Sequence, residues 1–271
     1  MPKTVIVPLD GSDFALRALP LGTAVARAFG AELLLVTTPM TLEEHRPSEL
    51  PVWLPEAAAA AGYERVRAEL LPEHDELTAL EQCVAHADEP ALCMATRGRG
   101  ALGTAVLGSV AQRVVHELGL ATALVGPNCD TQWQVSGPIV VCHDGSAASD
   151  AILPIAGEWA RALQLKVVIV HVSRPRDAAT ASTPSAAIER AAELLHDDLA
   201  EDGVQMLSHR HSAAGILGLV DDIDASLVAL STHGRSAMGR LTLGRVSGAV
   251  IHAAPCPVLT TRPSNLSTAR V

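Results

Sequence analysis

Two stretches of this 271-residue chain carry the same spacing of glycines, ATRGRGALGTAVLGSV at 95–110 and STHGRSAMGRLTLGRV at 231–246. In the first, nine residues separate Gly98 from Gly108, and Ser109 follows. In the second, Gly234 and Gly244 keep that separation, but Arg245 stands where the hydroxyl residue would be. A short apolar run precedes each stretch and a helical pattern follows, so each reads as strand, loop, helix. Anion binding is the chemistry that suits this arrangement. Glycine lets the backbone approach an anion with no Cβ in the way. N–H groups at a helix start, with the dipole behind them, favour a phosphate. Ser109 adds a hydroxyl donor. Arg245 keeps its backbone N–H, and its guanidinium either pairs with a phosphate from the side or folds over the cradle and blocks it. A lone Gly-x9-Gly-Ser is also what ordinary loop ends look like, so the surrounding elements must carry the argument.

Those elements occur twice. VIVPLDGS at 5–12 matches IVVCHDGS at 139–146, an offset of 134. Leu19-Pro20 meets Leu153-Pro154 at the same offset, and the glycine stretches overlie each other at 136. Two aligned blocks in the same order mark a tandem duplication of units of about 130 residues. The spacing predicts domains at 1–128 and 137–263, joined by the polar stretch NCDTQWQVSG, with a frayed tail from Ser264. Within each unit, apolar runs such as KTVIVPL and AELLLVTT alternate with helical patterns. That pattern predicts an α/β fold, a doubly wound parallel sheet with helices on both faces. A helix is expected through ALRALPLGTAVARAF, kinked at Pro20, and others near 56–70 and 76–87, with a weak strand near Glu69–Leu71.

In such sheets ligands sit beyond the carboxyl ends of the strands, where strand order reverses. Asp10-Gly11-Ser12 and Asp144-Gly145-Ser146 end the first strand of each unit. The aspartate there can accept from a ribose hydroxyl or help hold a metal; its plainer role is a helix-capping turn. Thr38 and Val172 end the second strands, where backbone groups can read an adenine edge beside a small side chain. His171, His233 and His252 lie in separate segments without HxH or HExxH spacing, which suits solvated or core histidines better than a metal site.

Composition narrows the field further. A formal charge of −10 and 2% aromatic residues argue against nucleic-acid binding, which needs a basic surface and stacking rings. Hydrophobic residues at 48% supply a core for each unit, built from Ala, Val and Leu. No membrane span or leader pattern is expected, because no window reaches about 20 apolar residues and MPKTVIVPLDGS meets an aspartate at position 10. Five cysteines, odd in number and without a CxxC pair, fit a reducing cytoplasmic compartment, with Cys93 and Cys142 as strand residues.

From Val5 to about Arg262 the chain resembles a universal stress protein of the tandem, two-domain type. The nucleotide-binding members of that family carry Gly-x2-Gly-x9-Gly-[Ser/Thr] after the fourth strand and an aspartate at the end of the first. The resemblance implies two Rossmann-like domains with five parallel strands in the order 3-2-1-4-5. It further implies ATP binding, with Mg2+ as an accompanying ion, stress-linked regulation, and pairing of last strands into an internal pseudo-dimer; a further homodimer is left open. In the first unit Asp10 would address ribose or metal, Thr38 adenine, and Gly98, Gly108, Ser109 and the Val110 backbone the phosphates. In the second, Asp144, Val172, Gly234, Gly244 and Arg245 take the corresponding roles. The departures are Ala95 and Ser231 at the leading glycine and Arg245 at the hydroxyl, so the first unit is the better candidate. Efficient hydrolysis is not expected, since no residue is placed to activate water. A slow ATPase and a nucleotide-free module for protein partners are the rival readings.

Overall fold

A computed structural model describes residues 1–39, 51–72, 75–98, 107–175, 184–232 and 243–263. The chain divides into two compact units, Met1–Val125 and Gly126–Val271.

In the first unit the order is β1 (Thr4–Pro8), α1 (Asp13–Leu16), α2 (Leu19–Phe29), β2 (Glu32–Thr37), α3 (Trp53–Ala60), β3 (Val66–Leu70), α4 (Glu76–His86), β4 (Pro90–Ala95), α5 (Ser109–Glu117) and β5 (Thr122–Val125). The five strands are parallel in the order β3-β2-β1-β4-β5. The second unit repeats this with β6 (Ile139–Cys142), α6 (Ala147–Asp150), α7 (Leu153–Leu163), β7 (Val167–Ser173), α8 (Ala186–Leu194), β8 (Leu199–Ser208), α9 (Ser212–Asp222), β9 (Leu227–Ser231), α10 (Arg245–Ala253) and β10 (Val258–Thr261). Its parallel order, β10-β9-β6-β7-β8, is the same 3-2-1-4-5 arrangement. The α/β class expected from the sequence and the strand order implied by the family resemblance are therefore both present.

The central strands are apolar on both faces, so Ile6, Leu33, Leu92, Leu124 and Ile139 are completely buried. Trp159 is the one large ring inside the second unit's core, 1% exposed on α7. Helix α2 lies close against the sheet: a Cβ at Gly22 would come within 2.4 Å of Val7 Cγ2. Helix α2 stops at Gly30 in the left-handed conformation (φ +62°), which glycine adopts at little cost. Gln164 closes α7 at the equivalent place with φ +58°.

Several boundaries differ from the sequence expectation. The stretch 13–29 is two helices, and Pro20 lies in the first turn of α2, where its missing N–H would be unpaired in any helix. The alanine-rich helix ends at Ala60, and β3 begins at Val66. The polar stretch after β5 is tied to the second unit. Trp133 Nε1 donates to the Ser226 carbonyl at 2.7 Å, and the Ser136 and Gly137 amides both donate to Ser226 Oγ at 2.7 Å. The tail from Ser264 lies outside the described residues.

Candidate functional site

Strand order reverses between β1 and β4. Asp10 lies two residues beyond β1. Its Oδ1 accepts from the Ser12 amide at 2.9 Å and from Ser12 Oγ at 2.6 Å. Ser12 Oγ in turn accepts from the Ala15 amide at 3.1 Å and caps α1. The helix-capping role of the Asp-Gly-Ser turn is thus real, and it also fixes one carboxylate oxygen. The other oxygen points to Gly98: a Cβ there would fall 2.3 Å from Asp10 Oδ2. Asp10 and Gly98, 88 positions apart in sequence, meet at the fold's crossover.

The third component is the start of α5. Gly108 is its N-cap residue, with extended backbone and no side-chain cap. The contrast with α4 is direct, since Asp75 caps that helix by accepting from the Thr78 amide at 2.9 Å. The Gly108 amide donates to the Thr96 carbonyl at 2.7 Å, which ties the helix start to the end of β4. Ser109 is exposed and Val110 half-buried in the first turn. Beside them Thr96 is fully buried, and its Oγ1 has no hydrogen-bond partner among the described residues. Thr38 is buried just past β2. Glu76, in the first turn of α4, has its carboxyl raised above the usual range, chiefly by burial and next by the negative charges of Asp10 and Asp75.

The second unit repeats the cradle with different chemistry. Gly244 caps α10 with no side-chain bond, and its amide donates to the Thr232 carbonyl at 3.2 Å. Arg245 is exposed in the first turn. Ser231 is 8% exposed, its Oγ without a partner among the described residues, while its carbonyl accepts from Ser247 Oγ at 3.2 Å. Asp144 Oδ1 accepts three bonds, from the Ser146 amide at 3.0 Å and from Ser146 Oγ and Ser149 Oγ at 2.5 Å each. Val172 lies inside β7 rather than beyond it, close to α9, where a Cβ on Gly215 would meet its Cγ1 at 3.3 Å. Gly234 and His233 lie outside the described residues.

Thr96, Ser149 and Asp150, whose Oδ1 lies 2.8 Å from His143 Nε2, were not evident from the sequence. Thr96 directly follows a hydrophobic strand and reads as its continuation. Ser149 and Asp150 replace Ala15 and Leu16 of the first unit, and comparing the copies at offset 134 is the signal that exposes them.

The uncapped α5 start, the Asp10 carboxylate against Gly98 and the Thr96 hydroxyl form a polar cradle at the carboxyl ends of β1 and β4. Among the described residues no group of three or more His, Cys, Asp or Glu side chains could hold a metal ion. None of the five cysteines is in a disulfide. Burial pushes the thiols of Cys142 and Cys256 up to about 12 and that of Cys93 higher still, which disfavours the thiolate that a nucleophile needs; Cys93 and Cys256 are buried and Cys142 is half-buried. Among the described residues no helix is long and apolar enough to cross a membrane.

Comparison with known proteins agrees with this architecture. A universal stress protein of Mycobacterium tuberculosis is 29% identical over 187 residues, covering 63% of this chain and 61% of the relative, so the match spans about three fifths of that relative's length. One from Thermus aquaticus is 33% identical over 144 residues, 46% of this chain and 99% of its own. The crystal structure of a universal stress protein from Archaeoglobus fulgidus has a TM-score of 0.68 at 19% identity, covering 97% of this chain and all of that one, a likeness of fold alone. The universal stress protein family model matches residues 1–125 and again 136–262. The repeat read from the sequence is thus two copies of one family's domain, and the chain belongs to the universal stress protein family.

Proposed function

We propose that this protein binds an adenine nucleotide, ATP, in the cradle of its first unit, and that occupancy is the signal it passes on as a stress-response regulator in the cytoplasm. The observation that carries the reading is the meeting of Asp10, Gly98 and the uncapped start of α5 at one strand crossover. In this arrangement the helix N-terminus takes the phosphates, with Ser109 adding a hydroxyl donor. Asp10 accepts from the ribose. Thr38, at the end of the neighbouring strand, borders the base. Mg2+ accompanies the phosphates. The cysteines, none of them paired, suit a reducing compartment.

The first unit is the stronger site on this reading. Arg245 replaces the hydroxyl in the second, and Asp144 is already bound by three donors on one oxygen. The function is binding and signalling; hydrolysis is not part of the proposal. Calorimetric titration of the intact protein with ATP tests it, with GTP as the comparison. One tight event with ATP and a weaker response to GTP support the reading. Absence of heat and of any thermal stabilisation at millimolar ATP overturns it, and favours a module that acts through protein partners without nucleotide.

A further inference from the structure

One end of each unit's sheet is its third strand, β3 or β8, which among the described residues pairs on one side only, with β2 and β7 respectively. Such an edge offers a row of main-chain donors and acceptors to any chain that can pair with it, and charged side chains along the strand are a common guard. β3 has that guard. It is five residues long, VRAEL, and its Arg67 reaches Glu32 on β2 at 3.1 Å and Glu69 at 3.4 Å. β8 is ten residues long, and its stretch GVQMLS at 203–208 carries no charged side chain. Val204, Met206 and Leu207 there are half-buried rather than buried, so apolar surface lies along the edge.

The His209 amide donates to the Ser173 carbonyl at 2.9 Å, which sets the alternation along the strand. Residues 205, 207 and 209 turn their main chains towards β7, and Val204, Met206 and Ser208 turn theirs outward. The irregular register against β7 falls between Leu199 and Val204, ahead of this stretch. Charge is polarised along the chain here. Glu201 and Asp202 stand before the uncharged stretch and His209, Arg210 and His211 stand after it, all of them exposed.

We propose that β8 is the docking edge for a second copy of this chain, the two β8 strands pairing antiparallel about Met206. In that register Met206 faces Met206 of the other copy, and Val204 faces Ser208. These are the residues whose main chains point outward, so each facing pair exchanges N–H···O=C bonds. Asp202 comes opposite Arg210 and Glu201 opposite His211, acid against base at both ends of the contact. A parallel pairing in register would instead set Asp202 against Asp202 and Arg210 against Arg210. The antiparallel contact uses the same patch on both copies, so it closes as a dimer and covers both edges at once. A strand-to-strand contact is small for a specific interface, so the dimer is weak and concentration-dependent.

This pairing does not depend on nucleotide binding, and its test uses the intact protein without nucleotide. Sedimentation velocity over about 1–500 µM should show a monomer–dimer equilibrium. Hydrogen exchange at the two ends of that range should show the Val204, Met206 and Ser208 amides slowed at high concentration, with Ala68 on β3 unchanged. Asp202→Arg alone, or Arg210→Asp alone, sets like charges against each other at two symmetric contacts and should weaken the dimer about 10-fold. Combining Asp202→Arg with Arg210→Asp exchanges the two ends and should restore it. Both side chains are exposed, so the variants are expected to fold as the wild type does. A protein that stays monomeric at every concentration overturns the proposal and leaves the edge to an extended segment of another protein. A dimer whose β8 amides are not slowed overturns it in favour of another surface. Single variants without effect, or a double variant that does not recover, overturn it as well.

Discussion

Replacing Gly98 by alanine puts one methyl group where the structure has an aspartate oxygen. The added carbon would lie 2.3 Å from Asp10 Oδ2 and 3.3 Å from its Cγ, about 1 Å inside ordinary contact distance. A free aspartate would swing aside. This one is held through Oδ1 by the amide and hydroxyl of Ser12, at 2.9 and 2.6 Å, and Ser12 also caps α1. Overpacking of this kind costs about 1–3 kcal/mol, and hydrogen bonds to a charged group are worth about 1.5–3 kcal/mol each, less where water can replace them. A net loss of about 1–3 kcal/mol follows, which is roughly 5- to 150-fold in ATP affinity if it falls on the bound state. Any part falling on the free protein lowers Tm by a few degrees per kcal/mol. The assay is a double-mutant cycle of Gly98→Ala and Asp10→Ala, read by calorimetry and thermal melting. Deleting the carboxylate removes the clash, so the double variant should melt above the sum of the two single effects. Gly98→Ala behaving as wild type, or the two substitutions adding within about 0.5 kcal/mol, would refute the contact on which the site is built.

Gly108→Asp should separate fold from function. Aspartate is a favourable N-cap, so melting should hold or rise slightly. A carboxylate about 4 Å from a phosphate costs up to about 4 kcal/mol at an effective dielectric of about 20, so ATP binding should fall by as much as about 1,000-fold by calorimetry. Arg245→Ser gives the second unit the hydroxyl of the first and should strengthen a second, weaker binding event; weakening would show that the guanidinium pairs with phosphate. Gln164→Gly relieves a left-handed non-glycine position and should stabilise the second unit by about 1 kcal/mol in denaturant melts.

The duplication made much of this legible in the sequence. An apolar strand ending in Asp-Gly-Ser, seen twice, predicted a crossover in a parallel sheet, while the strand order came from the family resemblance. What stayed hidden depends on contacts between distant residues. That Gly98 touches Asp10, rather than merely sharing its end of the sheet, follows from how β1 and β4 align, with Thr4 beside Pro90. The stretch after β5 read as a linker because its partner, Ser226, lies about 90 residues away. His143 has no counterpart in the first copy, and its partner Asp150, seven residues on, lies across a strand end and a short helix, where no periodicity points to it. Pro20 suggested a kink because a single pattern spanned what are two helices; proline at the start of the second removes the need for one.

The central claim is occupancy of the first cradle by an adenine nucleotide. Its most direct test is to purify the intact protein without denaturation, release what is bound, and measure nucleotide per chain by chromatography and mass spectrometry, beside Gly108→Asp. The account predicts ATP or ADP near one per chain in the wild type, or uptake to that level after incubation with ATP, and none in the variant. A wild type that is empty and takes up no added ATP, or a variant that carries as much as the wild type, would contradict it.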